Sequence, residues 1–261
     1  MADKQIEDKL YLARISHLCG LPEETIKYIE DLIKLKNGIL TEEERNLLFS
    51  SLKNLINNRR GSWNTVNALE SKEIKNESTL LPRVTELKLS LVEEIKKYID
   101  KGIELIDNFL FKNANNDELK IMYSKIKGDY YRYIIEITSK KNEDEINNLK
   151  QKADENYKYG LNLCNNVSNL NTTKIGLVLN YTVFLYEIEK ECKNAYEIAK
   201  NTYQTTLKCI NEENHDLTLL KDLNKLMNLL KENINKWAEH VEQENNDKNV
   251  NEISNEKNES P

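Results

Sequence analysis

Apolar side chains recur every three or four residues along most of this chain, the spacing that places them on one face of an α-helix. The longest such stripe runs from Leu80 through Ile95 to Leu110. Similar stripes predict eight further helices, at residues 3–18, 23–36, 41–69, 117–139, 142–166, 172–189, 193–210 and 216–241. We therefore predict an all-α fold of about nine helices that pack antiparallel along their length.

Local signals mark where several of these helices begin or end. Pro22 follows Gly20 closely and suits the first turn of the second helix. Thr41 and Glu44 stand three residues apart ahead of an apolar run, which is the pattern of a capping box. A polar run at 113–116 interrupts the periodicity after the fourth helix.

The last twenty residues differ from the rest of the chain. They carry six acids against two lysines, and Val250 and Ile253 are their only sizeable apolar side chains. Such a segment buries too little apolar surface to offset the entropy lost on ordering it. We therefore predict one helical domain over residues 1–241, followed by an acidic tail over 242–261 without regular structure.

Composition excludes several classes of protein. Only 7 glycines and 3 prolines occur in 261 residues, too few for the frequent turns of β-sandwiches and barrels. The net charge is −6 and no segment is basic enough to favour nucleic acid. There is no apolar run of membrane-spanning length and no signal-like N-terminus. We expect a protein of the cytoplasm, with the nucleus as an alternative, that contacts neither membrane nor nucleic acid.

Common catalytic and metal-binding motifs do not occur in the sequence. None of GxxxxGK[ST], GxGxxG, HExxH and GxSxG is found, and the three histidines and four cysteines are widely separated. We therefore expect no enzymatic activity, no cofactor and no metal site.

Two segments concentrate cations, although the chain has only six arginines. Lys53 and Arg60 are seven residues apart in the third helix, so both project from one face. Arg132 and Tyr133 share a turn of the fifth helix. If these helices pack side by side, the four side chains can converge on a phosphate dianion, which suits guanidinium forks, an ammonium and a phenol. The alternative is that Lys53 and Arg60 pair with acids on the helix surface.

Two asparagines stand in apolar surroundings. Asn180 lies in GLVLNYTVFLYEI (residues 176–188), a stretch apolar on nearly all sides that predicts a buried helix. Asn233 lies near Leu229 and Trp237 in the last helix. A carboxamide carries donors and an acceptor that can grip the N–H and C=O groups of an extended peptide. A hydrogen bond between helices is the alternative for each asparagine.

Three segments resemble signature strings of the 14-3-3 family of phosphoserine/phosphothreonine-binding adaptors. They read EERNLLxxxxKNxxxxRRxSW from residue 43, KGDYYRY from 127 and GLxLNxxVFxYEI from 176, in the family's order. The resemblance covers roughly residues 1–241. It implies nine antiparallel helices, with a dimerisation half over about 1–110 and, over about 111–241, a half whose concave groove holds one phosphopeptide.

The resemblance also implies roles for individual residues. The phosphate-binding set is Lys53, Arg60, Arg132 and Tyr133. The peptide-binding set is Asn180 and Asn233, with Glu187 and Trp237 nearby and an apolar wall of Leu179, Val183, Leu226 and Leu229. We therefore expect an adaptor that clamps extended phosphopeptides of phosphorylated client proteins and forms a homodimer. The alternative is a phosphate-independent helical scaffold that binds acidic, unphosphorylated segments.

The chain departs from the family's pattern in two regions. Lys225 and Lys236 stand where the family has leucine, which predicts a more cationic groove wall. The family's first turn normally supplies an arginine and acids for salt bridges across the dimer, whereas this chain has ISHLCGLPEET (residues 15–25), and Pro82 enters the opposing helix. Because exposed salt bridges contribute only about 0–1 kcal/mol each, we still expect a dimer, looser or differently angled. Ser62 matches a serine that family members can carry phosphorylated, and an unmodified surface serine is the alternative.

The sequence closes with Ser260 and Pro261. A phosphoserine next to a terminal carboxylate resembles one class of ligand that the 14-3-3 family binds. We therefore expect phosphorylated Ser260 to dock in the groove of its own or a neighbouring protomer and compete with clients. The alternative is an unmodified, solvated tail.

Overall fold

The computed structural model of the chain describes residues 2–139, 142–212 and 217–258. Within these ranges it contains nine α-helices and no strand, which confirms the predicted all-α fold. The helices are α1 (Ala2–Leu18), α2 (Pro22–Leu35), α3 (Glu42–Lys75), α4 (Leu81–Leu105), α5 (Asp117–Ile137), α6 (Glu143–Leu163), α7 (Thr172–Phe184), α8 (Cys192–Glu212) and α9 (Leu217–Asn258). Across the described residues, no helix combines the length with the apolarity that crossing a lipid bilayer demands.

The predicted capping box at the start of α3 is present. The Thr41 hydroxyl accepts a hydrogen bond from the Glu44 amide at 3.3 Å, and the Glu44 carboxylate accepts one from the Thr41 amide at 2.7 Å. Lys36 donates to the same buried carboxylate at 2.6 Å. The chain therefore enters α3 in a fixed direction, which sets the orientation of the helix that carries Lys53 and Arg60.

The first of two compact units comprises Met1–Asn115 and Tyr133–Lys141. In it α1, α2, α3 and α4 pack on their neighbours through the apolar stripes read from the sequence. Fully buried side chains form its core, among them Ile29, Leu32, Leu48, Ile56 and Ile95.

The second compact unit comprises Asn116–Arg132 and Asn142–Pro261. Its core contains an aromatic cluster in which the Tyr157 ring lies 5.6 Å from Tyr181 and 5.5 Å from Phe184, between ring centroids. Helix α7 is buried on most of its circumference, as its sequence predicts. The division into a dimerisation half and a groove half stays a prediction.

Helices α4 and α7 both end in a wider, π-helical turn. These turns span Ile106–Leu110 and Leu185–Glu189. The predicted helix ends at 110 and 189 are therefore right in position, while the last turn takes up one more residue than an α-helical turn. The second π turn carries Tyr186 and Glu187, which matter for the candidate site.

Helix α9 continues to Asn258, beyond its predicted end at 241. The prediction that residues 242–261 lack regular structure is therefore wrong for the backbone of 242–258. Low apolar content limits tertiary packing, but no glycine or proline occurs from 217 to 258. A helix already formed can thus propagate, because each added residue contributes one backbone hydrogen bond. The predicted phosphosite Ser260 lies outside the described residues.

Candidate functional site

Helix α3 carries the first two predicted phosphate ligands. Lys53 is exposed, and no carboxylate among the described side chains pairs with it. Arg60 is about three-quarters buried and forms an ion pair with Glu136. The carbon at the centre of its guanidinium lies 3.8 Å from the centroid of the Tyr133 ring. The sequence left open the alternative that Arg60 pairs with an acid, and the structure shows such a pair. The acid, Glu136, lies on α5 and not on α3.

Helix α5 carries Arg132 beside a buried carboxylate, Asp129. The two side chains are 10% and 8% exposed, and their charged atoms lie 3.6 Å apart. Lys125 donates to Asp129 at 2.8 Å, and the Tyr157 hydroxyl donates to it at 2.7 Å. Burial alone would raise the pKa of Asp129, but Lys125 and Arg132 outweigh it and hold that pKa below its ordinary value. Asp129 is therefore an ionised acceptor at neutral pH.

The glycine of KGDYYRY allows this arrangement to form. A Cβ added at Gly128 would lie 2.7 Å from the nearest carbon of the Tyr157 ring. Only glycine lets α6 approach closely enough for the Tyr157 hydroxyl to reach Asp129. Burial raises the pKa of that hydroxyl well above its ordinary value, so Tyr157 stays protonated and donates a hydrogen bond to Asp129.

Asn180 on α7 is fixed by the same carboxylate. Its side-chain nitrogen donates to both oxygens of Asp129, each at 2.8 Å. A carboxylate only accepts, so the amide must turn its nitrogen toward Asp129. Asn180 was expected to offer both its donors and its acceptor to a peptide, but its side-chain nitrogen is already bonded to Asp129. Its carbonyl oxygen is the atom that can accept from a peptide N–H.

The other predicted residues of α7 and its π turn differ in exposure. Leu179 is 8% exposed, Val183 is half-buried and Glu187 is exposed. Leu179 therefore belongs to the core more than to an open wall. Helix α7 packs against α9 within the second unit, so Val183 and Glu187 share that unit with the α9 residues.

Helix α9 carries the remaining predicted peptide ligands. Leu229 is 48% exposed, Asn233 is half-buried, and Leu226 packs partly against a core cluster. Trp237 is only 2% exposed, and its ring stacks on Tyr186 with centroids 5.0 Å apart. Trp237 thus holds α9 against the π turn, whereas Leu229 is an apolar side chain available to a ligand.

The structure connects the predicted residues in two groups, one in each unit. Arg60 lies against Tyr133 in the first, and Arg132 and Asn180 share Asp129 in the second. Sequence reasoning missed the two acids, Glu136 and Asp129. The spacing of Asp129, three residues before Arg132, was a signal for that ion pair. Its hydrogen bonds to α6 and α7 are tertiary contacts with no counterpart in local spacing.

One family model and several known proteins similar to this chain share a family description. A family model described as "14-3-3 protein" matches residues 12–238. A "14-3-3 protein homolog" of Trichoderma harzianum is 32% identical over 237 residues, covering 89% of this chain and 87% of the relative. The "14-3-3-like protein GF14-F" of Oryza sativa subsp. japonica is 31% identical over 245 residues, covering 91% and 90%. "14-3-3 protein homolog 1" of Schistosoma mansoni is 29% identical over 227 residues, covering 85% and 88%.

Proposed function

The chain belongs to the 14-3-3 family, and from this premise we propose that it binds segments of client proteins only when they carry phosphoserine or phosphothreonine. Membership supports a phosphopeptide-binding adaptor role in general, and members of the family are non-enzymatic adaptors. The dependence on phosphate, the residues that bind it and the cytoplasmic setting are our proposal.

One observation carries the proposal more than any other: a single buried carboxylate holds both an arginine and an asparagine in place. Asp129 contacts Arg132 and accepts two hydrogen bonds from Asn180. A ligand for phosphate and a ligand for peptide backbone are thereby oriented before any client arrives. Such pre-organisation favours affinity because less side-chain entropy is lost on binding.

The acids beside the arginines leave capacity for phosphate. A guanidinium has five N–H donors, and one carboxylate accepts at most two of them in a bidentate pair. Glu136 and Asp129 therefore orient Arg60 and Arg132, and a single carboxylate cannot engage all five donors of either guanidinium. We propose that these donors, the Lys53 ammonium and the Tyr133 hydroxyl bind the phosphate.

The peptide on either side of the phosphate would lie along α7 and α9. We propose that the Asn180 carbonyl oxygen accepts from a backbone N–H and that Asn233 binds a neighbouring peptide group. Val183, Leu226 and Leu229 would contact apolar side chains, with Leu179 and Trp237 supporting them from the core and Glu187 at the edge. Binding of this kind involves no covalent step; it holds a client segment extended and shielded.

We also propose a homodimer formed by the first unit. That unit exposes large apolar side chains on α1 and on the stretch from the end of α3 into α4. They include Tyr11, Leu12, Ile15 and Leu18 on α1, and Leu69, Leu80, Leu87 and Leu89 on the other stretch. Exposed apolar surface on this scale is typical of a protein–protein interface.

The decisive measurement is fluorescence anisotropy with one phosphoserine peptide and its unphosphorylated twin. We expect the wild-type chain to bind only the phosphorylated peptide. Arg60→Ala should weaken that binding about 10- to 100-fold, because hydrogen bonds to charged groups contribute about 1.5–3 kcal/mol. Lys53→Glu should abolish it, since it places a negative charge beside the phosphate.

The neighbouring arginine supplies a matched control. Arg59 pairs with Glu94 on α4, so Arg59→Ala removes the same charge one position away and should leave affinity nearly unchanged. Equal affinity of the wild-type chain for both peptides would contradict the proposal. It would favour instead a scaffold that recognises acidic segments without phosphate.

A further inference from the structure

The proposed peptide ligands Leu229 and Asn233 belong to one stripe along helix α9. The stripe consists of Asp222, Lys225, Leu229, Asn233, Lys236 and His240, which recur every three or four residues. At 100° per residue, all six lie within about 40° of the direction of Leu229. The buried side chains Leu223, Met227, Leu230 and Trp237 lie about 80–160° away from the direction of Leu229. Because Leu229 and Asn233 are proposed peptide ligands, the other members of the stripe are placed beside the same peptide.

The two lysines of the stripe differ in their partners. The Lys225 ammonium lies 2.7 Å from the Asp222 carboxylate, so its charge is largely compensated. Lys236 is exposed and pairs with no carboxylate among the described side chains. Glu232 and Glu239 are the acids nearest to Lys236 along the helix, but neither forms an ion pair with Lys236. Both lie about 60–80° away from Leu229 around the helix axis. The expected cationic character of this surface is therefore concentrated at Lys236.

An aromatic cluster positions the Lys236 side chain. Its ammonium lies 5.9 Å from the centroid of the Tyr186 ring, within the range of a cation–π contact. Tyr186 in turn stacks on Trp237 and on His240, and its hydroxyl hydrogen-bonds the His240 ring. A lysine held over a fixed ring loses less conformational entropy when it binds an anion than one that is free in solvent.

We infer that Lys236 selects phosphorylated clients that carry an aspartate or glutamate at one or two adjacent positions of the peptide, next to the residue that Asn233 contacts. The inference rests on the proposed function and narrows its substrate class. Lys236 lies three residues beyond Asn233, which is about 4.5 Å along the helix axis. An extended peptide advances about 3.3 Å per residue. The selected acid should therefore be one or two residues from the residue that Asn233 contacts.

The test is a charge scan of a phosphoserine peptide. A panel carries either aspartate or its neutral isostere asparagine at one position at a time, on both sides of the phosphoserine, and each peptide is titrated against the full chain. We expect aspartate to bind about two- to fivefold tighter at one or two adjacent positions only, the range expected for an exposed ion pair. Lys236→Gln should remove this preference, and Lys236→Glu should reverse it.

Lys231 provides the matched control on the same helix. It is exposed but lies about 160° from Leu229 around the axis, so Lys231→Gln makes the same change in net charge away from the stripe. If Lys231→Gln reduced the preference for aspartate as much as Lys236→Gln, bulk charge would explain it and the inference would be overturned. A flat scan of the wild-type chain would also overturn it.

Failure of the proposed function remains distinguishable in the same experiment. Each peptide is also measured without its phosphate, so loss of phosphate dependence appears separately from loss of the aspartate preference. Circular dichroism of the Lys236 variants checks their folding, and we expect no change because the side chain is exposed.

Discussion

Asp129 is the acceptor at the centre of a buried polar cluster in the second unit. It accepts from Lys125, Tyr157 and Asn180 and lies beside Arg132, although it is almost fully buried. A buried carboxylate is tolerated only when such partners replace the water it has lost. The cost of that desolvation explains why the partners come from several helices, because one helix alone cannot surround a carboxylate.

Replacing this carboxylate by an amide should therefore be costly at neutral pH. We expect Asp129→Asn to lower the free energy of unfolding by about 2–4 kcal/mol at pH 7, since it leaves two cations without their buried counter-charge. The pKa of Asp129 is lowered in the folded chain, so its contribution is present above the unfolded pKa of about 4 and is lost as the pH falls through the folded value. The difference between variant and wild type should shrink below pH 4 in urea titrations.

An exposed carboxylate of the same chain is the control for that experiment. Asp222 pairs with Lys225 at the surface. Asp222→Asn should therefore leave the urea midpoint unchanged at pH 7 and at pH 3. A wild-type stability that stayed constant from pH 7 to pH 3, or an Asp129→Asn variant as stable as the wild type, would contradict the role given to Asp129.

The candidate site shows how far single residues can be predicted from sequence. The heptad spacing of Lys53 and Arg60 and the isolation of Asn180 in an apolar run were visible without a structure. The orientation of the Asn180 amide was not, because it is decided by Asp129 on another helix. Likewise, Arg60 pairs with Glu136, which is 76 residues away, and no local spacing encodes that contact.

Among the elements, the helices themselves were the most predictable feature. The nine α-helices found within residues 2–139, 142–212 and 217–258 follow from periodic apolar stripes, and the start of α3 follows from Thr41 and Glu44. The π turns after α4 and α7 could not be predicted, because a wider turn leaves the apolar spacing nearly unchanged. The predicted end of α9 at residue 241 is wrong, because backbone hydrogen bonds can extend a helix through a segment of low apolar content.

Two glycines within helices should respond oppositely to alanine, according to what surrounds them. Alanine favours a helix over glycine by about 1 kcal/mol. A Cβ at Gly61 of α3 meets nothing within 4 Å, so Gly61→Ala should stabilise the chain by about 0.5–1 kcal/mol. A Cβ at Gly128 of α5 meets the buried Tyr157 ring at 2.7 Å, and overpacking of this kind costs about 1–3 kcal/mol.

The clash should therefore outweigh the helix propensity at Gly128. We expect Gly128→Ala to be destabilising in urea titrations and to weaken phosphopeptide binding, because displacement of Tyr157 also disturbs Asp129. Each variant serves as the other's control, since both make the same change within a helix. A stabilised Gly128→Ala variant would mean that α5 and α6 can move apart without loss, and the close packing would then be dispensable.

At the scale of the whole molecule, the apolar surface of the first unit is the feature that most needs a partner. Leu18 is 84% exposed and follows Tyr11 and Ile15 on α1. Burial of apolar surface contributes about 25 cal/mol per Å², whereas each exposed ion pair contributes about 0–1 kcal/mol. The apolar residues can therefore support a dimer in which salt bridges are few.

The proposed dimer should respond weakly to salt and strongly to loss of an apolar side chain. Ion pairs at a surface are screened as salt rises, but apolar burial is not. In sedimentation velocity experiments we expect the dissociation constant of the dimer to change less than about threefold between 0.1 and 1 M NaCl. Leu18→Lys should raise the dissociation constant at least about tenfold, since a charge would replace a leucine that the proposed interface buries. Leu207→Lys, at an exposed leucine of α8 in the second unit, should have no effect.

A dimer that dissociates steeply with salt would instead show that ion pairs hold it together. A Leu18→Lys dimer with an unchanged dissociation constant would place the interface away from this end of α1.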